Sequence, residues 1–93
     1  MAFDPEKDAR NIAKHGISLT RAEEMDMTAA IIREDERFDY GETRMIAIGE
    51  IGGREFVCIY TRRGDVVRPI SLRRADRKER HAYQEAKAAA EEA

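Results

Sequence analysis

Two β-rich runs, Arg44 to Ile51 and Arg54 to Thr61, are joined by nothing but Gly52-Gly53. Such a connection predicts a tight hairpin, because the central residues of the favoured two-residue turns take positive φ angles that glycine adopts without strain. The short loop also fixes a register. With Ile51 opposite Arg54, Ile46 and Ile48 share an aliphatic face with Val57 and Ile59. Met45, Ala47 and Gly49 share the other, mixed face with Phe56, Cys58 and Tyr60. A turn at Arg62-Arg63-Gly64-Asp65 then leads to a further strand, Val66 to about Arg73, with Ile70 and Leu72 on one side. Ser71 and Arg73 lie on the other, which in this register is the side of Tyr60. Pro69 lacks an N–H to give to a ladder and argues for an edge, a bulge or an interruption.

The flanking segments read as helices. Asp4-Pro5 is a helix start, with the acid at the N-cap and proline where its missing N–H costs nothing. The helix runs to about His15, closed by Gly16, with Lys14 and His15 at the negative end of the dipole. A second, shorter helix from Ile17 to Met25 places Leu19, Ala22 and Met25 on its inner side. Ala29 to Arg33 is a short β-branched strand, followed by a charged loop over 34–42. Asp76-Arg77-Lys78-Glu79 has the form of a capping box and opens a terminal helix to about Glu91, with little to bury beyond Ala82, Tyr83 and Ala86. The order helix, helix, four strands, helix predicts an α+β fold of two layers, helices on one face of a mostly antiparallel sheet. Ninety-three residues without repeat or linker make one domain, 1–93.

The lone Cys58 sits in the apolar run 56–60 and reads as a core thiol in a reducing compartment. The N-terminus shows no targeting pattern, and no apolar run approaches the ~18 residues of a membrane span, so the expected location is cytoplasmic. The net charge of −2 hides an asymmetry. Residues 23–42 carry eight acids against Arg33 and Arg37, whereas residues 62–80 carry eight bases against Asp65, Asp76 and Glu79. A polyanionic ligand responds to that local field and not to the whole-chain sum.

A longer pattern runs through the chain: Asp4-x-x-Lys7-x-x-x-Asn11-x-x-Lys14-His15-Gly16, then Gly41-Glu42-x-Arg44-x-Ile46-x-Ile48-Gly49, then Arg68-x-Ile70-Ser71-x-Arg73-Arg74-Ala75, closed by Glu79 and Tyr83. It resembles the BrnT family of ribonuclease toxins from Phe3 to Tyr83. Phe3 and Met25 depart from the tryptophan and the aromatic residue frequent in relatives. The resemblance implies a RelE-like fold and RNA cleavage that inhibits translation. It also implies neutralisation by an antitoxin of the BrnA type, whose ribbon-helix-helix region would bring DNA contact only through the joint complex.

RNA carries its own nucleophile, the 2′-hydroxyl, so a ribonuclease must remove that proton, stabilise charge on the phosphate and protonate the leaving 5′-oxygen. No zinc spacing or phosphate-binding glycine loop is present, so metal-independent chemistry without a cofactor is expected. Arginines suit the phosphate, and the expected set is Arg63, Arg73, Arg77 and Arg80, with Arg74 and Lys78 as secondary RNA contacts. His15 suits proton transfer at neutral pH, but the residues alone favour a helix cap; Lys14 is similarly ambiguous, and the resemblance raises both. Tyr60 could stack a base or pack in the sheet. Glu42 could act as a base or pair with Arg44, Glu79 is explained by capping, and no general base is assigned. The basic segment could instead bind the acidic loop 34–42 or the antitoxin. The alternative function is a catalytically inactive module that acts with the antitoxin in operon repression.

Overall fold

A computed structural model describes residues 3–37, 39 and 41–92. Helix α1, Pro5–His15, starts where Asp4 accepts a hydrogen bond from the Glu6 N–H at 2.9 Å and ends at Gly16, whose φ of 72° lets its own N–H reach the Ile12 carbonyl. Ser18 caps the next helix, which is a 3₁₀ helix, Leu19–Glu24. Strands β1 (Ile31–Glu34), β2 (Arg44–Ile51), β3 (Arg54–Arg63) and β4 (Val66–Arg74) form one antiparallel sheet in sequence order. Helix α2, Arg77–Glu92, opens on the expected capping box, Asp76 and Glu79 exchanging backbone-to-carboxylate bonds of 2.8 Å each. This is an α+β fold in the predicted element order. Among the described residues no helix is long and apolar enough to cross a membrane.

The β2–β3 register is the predicted one, Ile51 opposite Arg54 and Ala47 opposite Cys58. The β3–β4 register is not. Tyr60 pairs with Pro69 but Ile59 pairs with Ser71, so Ile70 is an extra, bulged residue. An uninterrupted ladder would set Arg73 opposite Phe56, on the Tyr60 side. The bulge shifts the pairing by one, and side chains alternate with period two, so Arg73 comes opposite Val57 and changes face.

The two faces are covered by different elements. On the Tyr60 face, Leu19, Ala22 and Met25 pack on Ala47, Phe56, Cys58 and Leu72. Gly49 admits this approach, since a Cβ there would lie 2.8 Å from the Met25 Cγ. On the opposite face α2 lies over Ile46, Ile48 and Val57 through Tyr83. Tyr83 is the one residue of α2 that is buried, its hydroxyl donating to Glu50 at 2.7 Å; Ala82 and Ala86 are exposed. The expectation that all helices share one face is corrected accordingly, because a sheet with apolar rows on both sides needs cover on both.

Helix α1 lies against the exposed edge of β4. Its buried residue is polar: the Asn11 amide donates to the Leu72 carbonyl at 2.7 Å and to the Ile17 carbonyl at 2.9 Å, and its oxygen accepts from the Leu72 N–H at 3.1 Å. Asn11 thus takes the place of a missing strand at this edge.

Candidate active site

Tyr83 and Ala75 cover one end of the second face and leave the other end open. There a cleft of about 380 Å³ has Ile46, Ile59 and Ser71 among its lining residues, together with Lys14 and His15 from the end of α1, Arg33 from β1 and Arg73 from β4. The register explains the convergence. Arg33 pairs with Ile46, Ile46 with Ile59, and Arg73 with Val57, so both arginines project to this face from opposite edges of the sheet. Gly16 ends α1 where Lys14 and His15 reach the same space.

Arg73 is oriented by Glu79. Its Nη1 and Nη2 each donate to one Glu79 oxygen at 2.8 Å, and Nη1 also donates to the Arg74 carbonyl at 3.2 Å. A guanidinium has five N–H donors, so these three bonds leave two for a ligand. The Arg73 bonds hold the Glu79 carboxyl below its ordinary range, which keeps it an anion and a clamp rather than a proton carrier. Capping therefore accounts for only half of what Glu79 does.

His15 is half-buried, and its pKa is lowered from 6.5 by burial first, then by the charges of Lys14 and Arg73. At neutral pH the imidazole is neutral and able to accept a proton. Arg37 also borders the cleft and grips the buried Asp35 carboxylate with bonds of 2.8 and 2.9 Å. The acidic loop thus directs Asp35 to its own Arg37, while Glu42 lies 3.7 Å from Arg44 and 4.0 Å from Arg63.

Of the residues proposed from sequence, the structure gathers Lys14, His15 and Arg73. Arg63 is the exposed last residue of β3, beside Glu42, and does not line the cleft. Arg77, Lys78 and Arg80 are exposed on the first turns of α2, with Arg80 bonding back to the Ala75 carbonyl at 3.1 Å. Arg74 and Tyr60 belong to the opposite face: the Arg74 guanidinium lies 5.7 Å from the Phe56 ring centroid, and Tyr60 is 5% exposed within the core. The expected placement of Arg73 on the Tyr60 face fails because of the bulge at Ile70. Arg33 and Arg37 are additions. Arg33 could have been found from the alternation that places Ile31 with Ile48, had β1 been registered on β2. Cys58 is buried as expected, and burial pushes its thiol up to about 12, outside any role at neutral pH.

Among the described residues no three His, Cys, Asp or Glu side chains are gathered as a metal site would require; the cleft's charged lining is Lys14, Arg33, Arg37 and Arg73 with Glu79. A family model described as the ribonuclease toxin BrnT of type II toxin–antitoxin systems matches residues 3–79. Comparison with curated proteins gives no match. The match spans both helical margins of the cleft, from α1 to Glu79, and all four strands between them, and the chain belongs to the BrnT family of ribonuclease toxins.

Proposed function

We propose that this chain is a metal-independent endoribonuclease that cuts RNA through its own 2′-hydroxyl and so inhibits translation. It acts in the cytosol, is neutralised by a BrnA-like ribbon-helix-helix antitoxin, and meets DNA only within that complex. One observation carries the catalytic part: Lys14, Arg33 and Arg73 share a cleft with a histidine whose pKa is lowered.

In this reading the 2′-oxygen attacks the adjacent phosphorus and the bond to the 5′-oxygen breaks, leaving a 2′,3′-cyclic phosphate. His15 accepts the 2′-hydroxyl proton. Arg73, held by Glu79, offers its two remaining N–H groups to the phosphate oxygens, where negative charge accumulates. Lys14 and Arg33 add positive charge to the same cleft. The leaving 5′-oxygen takes its proton from water, and the imidazolium returns one to solvent.

Purified protein incubated with RNA in EDTA tests the reading. Cleavage should persist, the new ends should be cyclic phosphates, and the substrate lacking 2′-hydroxyls should survive. Loss of cutting on chelation would remove the metal-free mechanism. Failure to cut any RNA, with no growth arrest on expression, would favour the binding module.

A further inference from the structure

A second cleft, of about 400 Å³, adjoins the first and shares Lys14, His15 and Ser71 with it. It lies between α1 and β4, and its further cations are Lys7, Arg10 and Arg44. Lys7, Arg10 and Lys14 recur at i, i+3 and i+7, so they project from one side of α1. Lys7 to Lys14 covers about 10 Å at 1.5 Å per residue, a length that exceeds one phosphodiester. No carboxylate lines this cleft, and among the described residues Lys7, Arg10 and Lys14 have no ion-pair partner. The charge is therefore uncompensated, unlike that of Arg73. Asn11 stands between them with its amide committed to Leu72 and Ile17, fixing the helix in place and leaving the ligand to the cations.

The structure assigns to this second cleft the backbone of the RNA beyond the scissile bond: flanking phosphodiesters lie along Lys7, Arg10 and Lys14, and the strand crosses the β4 edge from one cleft into the other. The assignment rests on the ribonuclease reading for the identity of the polyanion. A row of cations that continues directly from the reacting site suits a backbone-tracking groove for single strands. It favours a continuous nucleic acid over an acidic protein segment, which would gain nothing from access to His15.

The test is fluorescence anisotropy with 2′-O-methyl RNA of two and six nucleotides, which binds without being cut, across a salt series. Wild type is compared with Lys7→Gln/Arg10→Gln and with the charge-keeping Lys7→Arg/Arg10→Lys. Single-strand contacts each contribute about 0.7 to the log–log salt slope. The neutralised variant should therefore bind the hexanucleotide with a slope shallower by about 1.4 and lose most of the affinity gained on lengthening from two nucleotides to six. The charge-keeping variant should retain both. Arg10→Gln alone, at an exposed position, should lose half the slope change and serves if the double variant is misfolded. An unchanged slope overturns the assignment, and an unchanged slope with weakened antitoxin binding gives the cleft to a protein partner instead. A shallower slope in a protein that cuts no RNA would remove the ribonuclease reading and leave the anion subsite standing. Cutting with an unchanged slope does the reverse.

Discussion

The two faces of the sheet are made by the same strands and serve opposite ends. The face under the 3₁₀ helix is given mainly to packing: Leu19, Ala47 and Leu72 are fully buried and Cys58 is held as an inert thiol, with a largely apolar pocket of about 250 Å³ toward Met27 and Ile32. The face under α2 is sealed only where Tyr83 lies; its other half carries Arg33, Arg73 and, from α1, Lys14 and His15. Period-two alternation couples the two, since each residue given to the core places its neighbours toward the cleft. A small sheet can thus concentrate packing on one face and gather charge on the other. The bulge at Ile70 determines which β4 residues fall on which face.

Adjacent residues 72 and 73 offer the sharpest way to break this comparison. Leu72→Ala should cost about 2–5 kcal/mol of stability, through the lost transfer energy and the cavity left behind, while the folded fraction still cuts RNA. Arg73→Ala should leave the denaturation midpoint almost unchanged, because its bridge to Glu79 is partly exposed and salt-screened. It should lower cleavage by about 10²–10³-fold, the scale of losing one donor to a transition-state anion. Urea titration and single-turnover cleavage of both variants measure the two effects. Were the effects exchanged between the positions, the ladder would be uninterrupted and the assignment of faces wrong.

Asn11→Ala sharpens the role of the edge that separates the faces. Both backbone groups of Leu72 would lose their partner, at a cost of about 2 kcal/mol for orphaned buried polar groups. Hydrogen exchange should quicken at the Leu72 amide and along α1 more than at the β2–β3 ladder. Equal quickening throughout would show that α1 is not a separately attached element.

What sequence reveals here follows from how local each constraint is. The Gly52-Gly53 loop determines the β2–β3 pairing because two residues leave no freedom of register, and the caps at Asp4 and Asp76 act within a single turn. Pro69 signalled a disturbed ladder but not its direction, and one extra residue then moved Arg73 away from Tyr60. Counting bases along segment 62–80 favoured arginines that the fold disperses to the end of β3, to α2 and to both faces. Sorting by face would have been more informative, since Lys7, Arg10 and Lys14 already lie at helical spacing. Alanines 82 and 86 misled for a related reason: their apolar character does not require burial, and Tyr83 is the one α2 side chain buried against the sheet.

That hold gives a smaller prediction about the covered half of the second face. Tyr83→Phe removes the hydroxyl that donates to Glu50 but keeps the ring, and Lys87 still reaches the same carboxylate oxygen at 3.0 Å. A loss of about 1 kcal/mol is expected, the net contribution of a typical hydrogen bond, because Lys87 keeps the carboxylate paired, with cleavage unaffected. A larger loss, or a loss of activity without one of stability, would mean that α2 shapes the open cleft as well as covering its neighbour.

The smallest effect concerns His15 and tests whether the open half is electrically what its residues suggest. Burial and the charges of Lys14 and Arg73 all oppose the imidazolium, so an NMR titration should place His15 below 6.5. Cleavage should then fall as pH drops through that lowered midpoint, because only the neutral ring accepts the 2′-hydroxyl proton. Stability should follow the same sign: between 6.5 and the folded midpoint the unfolded chain binds the proton and the folded one does not, so acidification through this window weakens folding slightly. Lys14→Ala removes the second of the three causes and should move the midpoint back toward 6.5, carrying the acid limb of the rate profile with it. Phosphate binding should shift it in the same direction by cancelling the surrounding charge. A His15 that titrates at or above 6.5 in the free protein would show that the cleft is not net cationic around the ring, and the contrast between the two faces would then be one of packing alone.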